Sequence, residues 1–145
     1  MAIINWATAK YEGLGKEGKG HVSTQSGALK DQPYGFNTRF DDQPGTNPEE
    51  QIAAAHASCF TMALSFALAE HGYKKGTLES KATITLVKDG EGFAITKSEI
   101  KLDAKVPGMS GPDFEKAAVE AKLNCPISKL LNCDVTLDIT SFDGN

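Results

Sequence analysis

Cysteine is scarce in this chain: Cys59, Cys125 and Cys133 are the three present among 145 residues. An odd number in a chain this long does not suit a secreted disulfide framework, and no two are spaced as C-x-x-C. Basic runs are absent and the formal net charge is −4, which sets nucleic acid aside as a partner. No charged segment leading into an apolar run is read at the opening, so no secretory signal is expected and cytoplasm is the expected compartment. Gly13, Gly15 and Gly18 fall at G-x-G-x-x-G spacing, but in a loop between two expected strands rather than at the start of a helix, so no phosphate-cradling motif is read there, and no P-loop is present. Ser58 and Ser65 lack the context of a nucleophile elbow, which argues against serine hydrolysis. Internal repeats and low-complexity segments are also missing. A hydrophobic content of 40% and a charged content of 23% fit one soluble globular domain over residues 1–145.

Charge is missing most conspicuously from Gln51 to Ala69. The segment Asn47–Glu70, NPEEQIAAAHASCFTMALSFALAE, opens with Pro48, with Glu49 and Glu50 in a first turn, and with Thr46 or Asn47 placed to cap. Proline and acids belong at that end, where free N–H groups and the positive end of the helix dipole lie. His71-Gly72 is a stop signal. Apolar residues occur on every side, so the helix is either a membrane span or the buried axis of a core. Gln51, His56, Ser58, Thr61, Ser65 and many alanines dilute it too far for a span, and no membrane association is expected.

Around this helix the chain alternates. Strands are expected at Ile3–Tyr11, Lys19–Ser26 and Gly35–Phe40 before it, and at Thr77–Val87 and Phe93–Val106 after it. A hairpin turn is expected at Asp89–Gly92, with a bulge near Lys97-Ser98. Ser110 starts a helix with Phe114, Ala117, Ala118 and Ala121 on one face. Pro126 suits the first position of a further short helix, with Cys125 as its N-cap, and Val135–Thr140 reads as the last strand. The order β3-α-β2-α2-β is α+β rather than doubly wound. Six short strands can hardly enclose a helix that is apolar all round, so a homodimer with a large apolar interface is expected.

The cysteines differ locally. Cys59 at mid-helix has no help from the dipole, and burial should raise its pKa unless a cation lies near. Arg39 is a candidate cation; the plainer reading is a surface arginine paired with Asp41 or Asp42. Cys125, at an N-cap, faces free N–H groups that favour thiolate. Cys133 is given no chemistry. His56, three residues before Cys59, could join Cys125 and Cys133 in a zinc site, but the spacing and the apolar surroundings argue against a metal.

The run N-P-E-x-x-x-x-A-x-x-A-x-C-F at Asn47–Phe60, the second cysteine within Asn124-Cys125-Pro126, and Arg39 upstream resemble the signature of the OsmC/Ohr family. The opening Ala-Thr-Ala-Lys-Tyr-Glu-Gly and the run from Phe40 to Glu50 look closer to its OsmC branch. The resemblance implies a thiol-dependent peroxidase. It would reduce organic hydroperoxides, and hydrogen peroxide less well, in oxidative or osmotic stress defence, without haem, flavin, metal or other cofactor. It implies Cys59 as the peroxidatic cysteine, Cys125 as the resolving one, and Arg39 with Glu49 as the activating pair. It also implies a swapped homodimer around central helices and regeneration by a dithiol, either a small thiol or a lipoyl-type protein.

Phe60, Met62 and Phe66 are candidates for contact with the alkyl group of a peroxide, with plain packing as the alternative. Glu49 and Cys59 are ten residues apart, about 15 Å along one helix, so Glu49 is expected to serve the cysteine of the other subunit. A non-enzymatic small-ligand-binding protein and a zinc-binding structural protein stand as the alternatives.

Overall fold

Six strands form two separate three-stranded sheets. The computed structural model describes residues 1–145, which divide into two compact units, Met1–Gln51 and Ile52–Asn145. The elements are β1 (Ala7–Glu12), a 3₁₀ turn (Gly15–Glu17), β2 (Lys19–Thr24), β3 (Gln32–Tyr34), α1 (Phe36–Phe40), α2 (Pro48–Glu70), β4 (Thr77–Asp89), β5 (Gly92–Lys105), α3 (Gly111–Asn124), α4 (Pro126–Leu130) and β6 (Asp134–Asp143). The α+β class and the number of strands are as expected; there is one helix more.

In the first unit β1, β2 and β3 pair antiparallel in that order. Two expectations need correction here. β1 begins at Ala7, not Ile3, because its partner β2 ends at Thr24, which pairs with Ala7. Beyond that point Trp6 N–H turns to the Gln25 side chain at 3.2 Å, and Ile3, Ile4 and Trp6 stay exposed. The segment Gly35–Phe40 is not a strand: Phe36–Phe40 winds as α1, and the third strand is the three residues before it. Phe36, Thr38 and Phe40 alternate, but Phe36 and Phe40 are also one helical turn apart, so so short a run satisfies both periods. Their rings meet at 5.0 Å between centroids, and the Thr38 hydroxyl accepts the Gly35 N–H at 2.8 Å. Pro33, with no N–H to donate, suits the short edge strand β3.

α2 starts and stops where the sequence signals it. Asn47 Oδ1 accepts the Glu50 N–H at 2.8 Å, and the Thr46 hydroxyl donates to the Glu50 carboxylate at 2.9 Å. At the other end Gly72 has φ +93°. Tyr73 N–H reaches Leu68 O at 3.1 Å and Gly72 N–H reaches Ala69 O at 3.0 Å, a Schellman closure.

In the second unit β5 is central, antiparallel to β4 and parallel to β6. The β4–β5 turn places Gly90 at φ +60°, at the first of its two central positions, where glycine carries no steric cost. Thr85 pairs with Lys97 and Leu86 with Ile95, so Thr96 bulges out, one residue from the place expected.

The core of this unit joins Ile100, Leu102 and Ala104 of β5 to Phe60, Leu64 and Leu68 of α2 and to Phe114, Ala117, Ala118 and Ala121 of α3. Each such large side chain contributes about 1.5–3 kcal/mol by leaving water. By length and composition α2 could cross a membrane, but one of its faces is committed to this core. Its Thr61 hydroxyl bonds Ser80 of β4 at 2.6 Å. Another face is bare, with Met62 58% and Phe66 65% exposed.

Candidate active site

Cys59 lies half-buried at the middle of α2 in the second unit. Cys125 lies fully buried between α3 and α4: it ends the first and is the N-cap of the second, with Pro126 at the first helical position, as the sequence suggested. The side chains of these two distant residues meet, the Cys59 thiol donating toward Cys125. All three cysteines are free thiols.

The surroundings treat the two sulfurs oppositely. Burial pushes the Cys59 thiol up, and the bond to Cys125 and the repulsion between two thiolates push it further. A backbone N–H from Ile127 offsets this only in part, and within the unit no cation joins it. Burial also acts against ionisation of Cys125. There the Cys59 thiol, the backbone N–H and hydroxyl of Ser128 and the N–H of Ile127 outweigh it, so its pKa falls below the ordinary thiol value. Both directions agree with the local reading of a mid-helix and an N-cap cysteine.

One feature of this site was not legible in the sequence. His56, one turn before Cys59 on α2, is fully buried. Its Nδ1 hydrogen-bonds Ser98 Oγ at 2.6 Å and its Nε2 hydrogen-bonds Ser128 Oγ at 2.8 Å. Ser98 is fully buried on the inward face of β5, and Ser128 is the third residue of α4. Burial lowers the His56 pKa, so the imidazole is neutral at neutral pH. With both ring nitrogens engaged by serines, neither is turned toward Cys125 and Cys133 as the zinc alternative requires. The available signal was a histidine in a charge-free helix; nothing in the sequence pointed to either serine.

In the first unit Arg39 lies on α1 and Glu49 in the first turn of α2. Nε donates to Glu49 Oε2 at 3.1 Å and Nη2 donates to Oε1, a bidentate fork on one carboxylate. The arginine is paired with Glu49, not with Asp41 or Asp42 as its plainer reading had it. The guanidinium also lies over the Phe40 ring, 5.6 Å from its centroid. It lines a cavity of about 480 Å³ with Tyr11, Lys16, Tyr34, Phe36 and Phe40. The division of labour between the two acids is clear: Glu50 closes the helix cap and Glu49 holds the arginine.

Of the three apolar candidates, Phe60 is fully buried in the core and offers no surface, so packing accounts for it. Met62 and Phe66 follow Cys59 at i+3 and i+7 and are exposed along the same side of α2. Cys133 precedes β6, and its pKa is raised, first by burial and then by Asp134.

The family profile described as OsmC-like protein matches residues 40–140. The chain belongs to the OsmC family. That match includes Glu49, Cys59 and Cys125 and starts one residue after Arg39. Within the family, the chain is 49% identical over 138 residues to Peroxiredoxin OsmC of Escherichia coli, covering 95% of this chain and 96% of that protein. It is 31% identical over 137 residues to Organic hydroperoxide resistance protein-like 1 of Staphylococcus saprophyticus, with 94% of each covered. Among solved structures, the organic hydroperoxide resistance protein OhrB of Bacillus subtilis superposes with a TM-score of 0.67 at 28% identity, over 92% of this chain and 96% of that one. The OsmC-like fold expected from the signature is thus the fold observed.

Proposed function

We propose that this protein is a thiol-dependent peroxidase that reduces organic hydroperoxides, and hydrogen peroxide less well, to alcohols and water. The observation that carries the reading is the meeting of half-buried Cys59 and buried Cys125, two free thiols distant in the chain. The likeness to Peroxiredoxin OsmC over nearly the whole chain supports it. In this reading Cys59 thiolate attacks the distal peroxide oxygen. The O–O bond breaks, the alcohol leaves after taking a proton, and Cys59 becomes a sulfenic acid. Cys125 sulfur then attacks the Cys59 sulfur. An S–S bond forms, the S–O bond breaks, and hydroxide leaves as water with one proton from solvent. A dithiol, either a small thiol or a lipoyl-type protein, reduces the disulfide by exchange and is itself oxidised.

Cys59 is the harder of the two thiols to ionise, so this reading needs a cation, and Arg39 steered by Glu49 supplies it. Glu49 and Cys59 are separated by ten residues of α2, about 15 Å of helix rise. The pair is therefore assigned to the cysteine of a second subunit in a homodimer with antiparallel central helices. Exposed Ile3, Ile4 and Trp6 in the first unit and Met62 and Phe66 in the second support such a partner, since a lone chain would leave these apolar side chains in water. Met62 and Phe66 would then face the alkyl group of the substrate. Both compact units work as one domain over residues 1–145, in a soluble protein of the cytoplasm active in stress defence.

The test is a peroxide-consumption assay with a dithiol reductant. Cumene or tert-butyl hydroperoxide should be consumed faster than hydrogen peroxide. No consumption of any hydroperoxide by the fully reduced protein would sink the proposal and leave a non-enzymatic ligand-binding protein in its place.

A further inference from the structure

A fully buried histidine held at both ring nitrogens is a costly device unless its hydrogen bonds serve something. His56 lies between two serines, at 2.6 Å from Ser98 and 2.8 Å from Ser128, and Ser128 stands in the first turn of α4, which Cys125 caps. The Cys125 sulfur closes no cap hydrogen bond, but the N–H groups of Ile127 and Ser128 and the Ser128 hydroxyl are the α4 groups that act on it. Fixing the Ser128 side chain therefore fixes the groups that face the Cys125 sulfur. The anchor that does so rides on α2 one turn from Cys59, so attacked and attacking sulfurs are registered to the same helix.

We propose that His56 is a positioning residue for Cys125, acting through Ser128 to hold its sulfur as a thiolate aligned for attack on Cys59; this rests on reading Cys125 as the resolving thiol. The hydrogen-bond directions follow from proton counts. A neutral imidazole carries one N–H. If Nε2 carries it, the Ser98 hydroxyl donates to Nδ1, Nε2–H donates to Ser128 Oγ, and the Ser128 hydroxyl is free to donate to Cys125 Sγ. Every bond then points toward the sulfur and each reinforces the next. With the other tautomer Ser128 must donate to Nε2, and the sulfur loses that donor. Burial keeps the ring neutral, and the Ser128 hydroxyl and N–H are among the groups that favour the Cys125 thiolate. Cys59 on α2 is the one titratable group that acts on Cys125 directly; no carboxylate, lysine or arginine acts on it from α2, α3, α4 or β5.

The test uses the full-length protein with Cys59→Ser and Cys133→Ser, leaving Cys125 as the single thiol, and follows ultraviolet thiolate absorbance against pH. His56→Phe, which fills the space without hydrogen bonds, should raise the Cys125 midpoint by about one unit. His56→Gln, whose amide can still donate to Ser128, should restore most of the shift. Ser128→Ala should shift the midpoint as His56→Phe does, and the double variant should go no further. With all cysteines present, His56→Phe should slow Cys59–Cys125 disulfide formation roughly threefold at neutral pH, because a tenfold loss of thiolate is partly offset by the greater nucleophilicity of a more basic thiolate. Leu64→Ala serves as the control: it removes core packing and should leave the midpoint alone. An unmoved midpoint in both His56→Phe and Ser128→Ala overturns the proposal. So does an equal shift in the phenylalanine and glutamine variants, which would reduce His56 to packing. If His56→Phe does not fold, Ser128→Ala decides alone. The titration needs no peroxide, so it stands apart from the peroxidase assay: failure of turnover would sink the peroxidase reading and leave this result intact.

Discussion

Cys59 and Cys125 carry the same functional group into the same small volume, from the middle of a helix of 23 residues and from the junction of two helices. At mid-helix the N–H groups of α2 are already bonded within the helix, so burial is opposed only in part, by the Ile127 N–H of α4, and the thiol is favoured. At the junction the Cys59 thiol, joined by N–H groups in the first turn of α4 that have no partner in the helix and by the Ser128 hydroxyl, outweighs burial. The lesson is that burial alone does not set the reactivity of a cysteine: the fully buried one is the more easily ionised. In the reaction proposed above, the more exposed Cys59 is the one assigned to the peroxide, and that assignment calls for a charge brought from elsewhere.

The strongest way to break this comparison is Cys59→Ser. Turnover should vanish, since serine forms no sulfenic acid; turnover near wild type would move the chemistry to Cys125 or Cys133. Cys125→Ser comes next. The protein should reduce about one equivalent of hydroperoxide and then stall or overoxidise to the sulfinic acid, as mass spectrometry of the intact chain would register. Peptide mapping of the wild-type protein after one equivalent should find Cys59 joined to Cys125. A Cys125–Cys133 link would contradict the assignment.

Arg39→Ala sharpens the comparison rather than breaking it. Without the cation Cys59 should keep the raised pKa that its helix gives it, and alkylation at neutral pH should slow by about tenfold for each unit of pKa. Glu49→Ala should act through Arg39, so the double variant should be little worse than Arg39→Ala alone. Refolding inactive Glu49→Ala with inactive Cys59→Ser should recover activity in the mixed dimer, because one intact Glu49 then faces one intact Cys59. Heterodimers without recovery would assign Glu49 to its own chain or to no role.

The smallest effect concerns pH. His56 is neutral in the fold, with a pKa depressed by burial below its ordinary value of about 6.5. Its contribution to stability is complete above that ordinary value and is lost as pH falls from there through the folded-state pKa, because only the unfolded chain takes up the proton in that window. Unfolding midpoints in urea should fall on acidification over this range. His56→Gln should flatten that part of the profile, and an unchanged slope would remove His56 as its source.

Local chemistry is what the sequence by itself determined. Asn47, Pro48 and Glu50 mark the start of α2 and Gly72 its end. Pro126 makes Cys125 an N-cap, and alternation marks β4, β5 and β6. In each of these the cause lies within a few residues of the effect, in a capping bond, a missing N–H or a period of two. The same local reasoning failed at Phe36–Phe40, where a run too short to show its period was decided by the Thr38–Gly35 bond and the Phe36–Phe40 ring contact. The family resemblance already pointed Arg39 to Glu49, but tertiary structure alone decided that Phe60 would be core and that Ser98 and Ser128 would close on His56 from β5 and α4. It also brought Cys125 against Cys59. Those pairings join residues far apart in the chain. No local propensity encodes them, because the partner exists only once the core has placed the helices against β5.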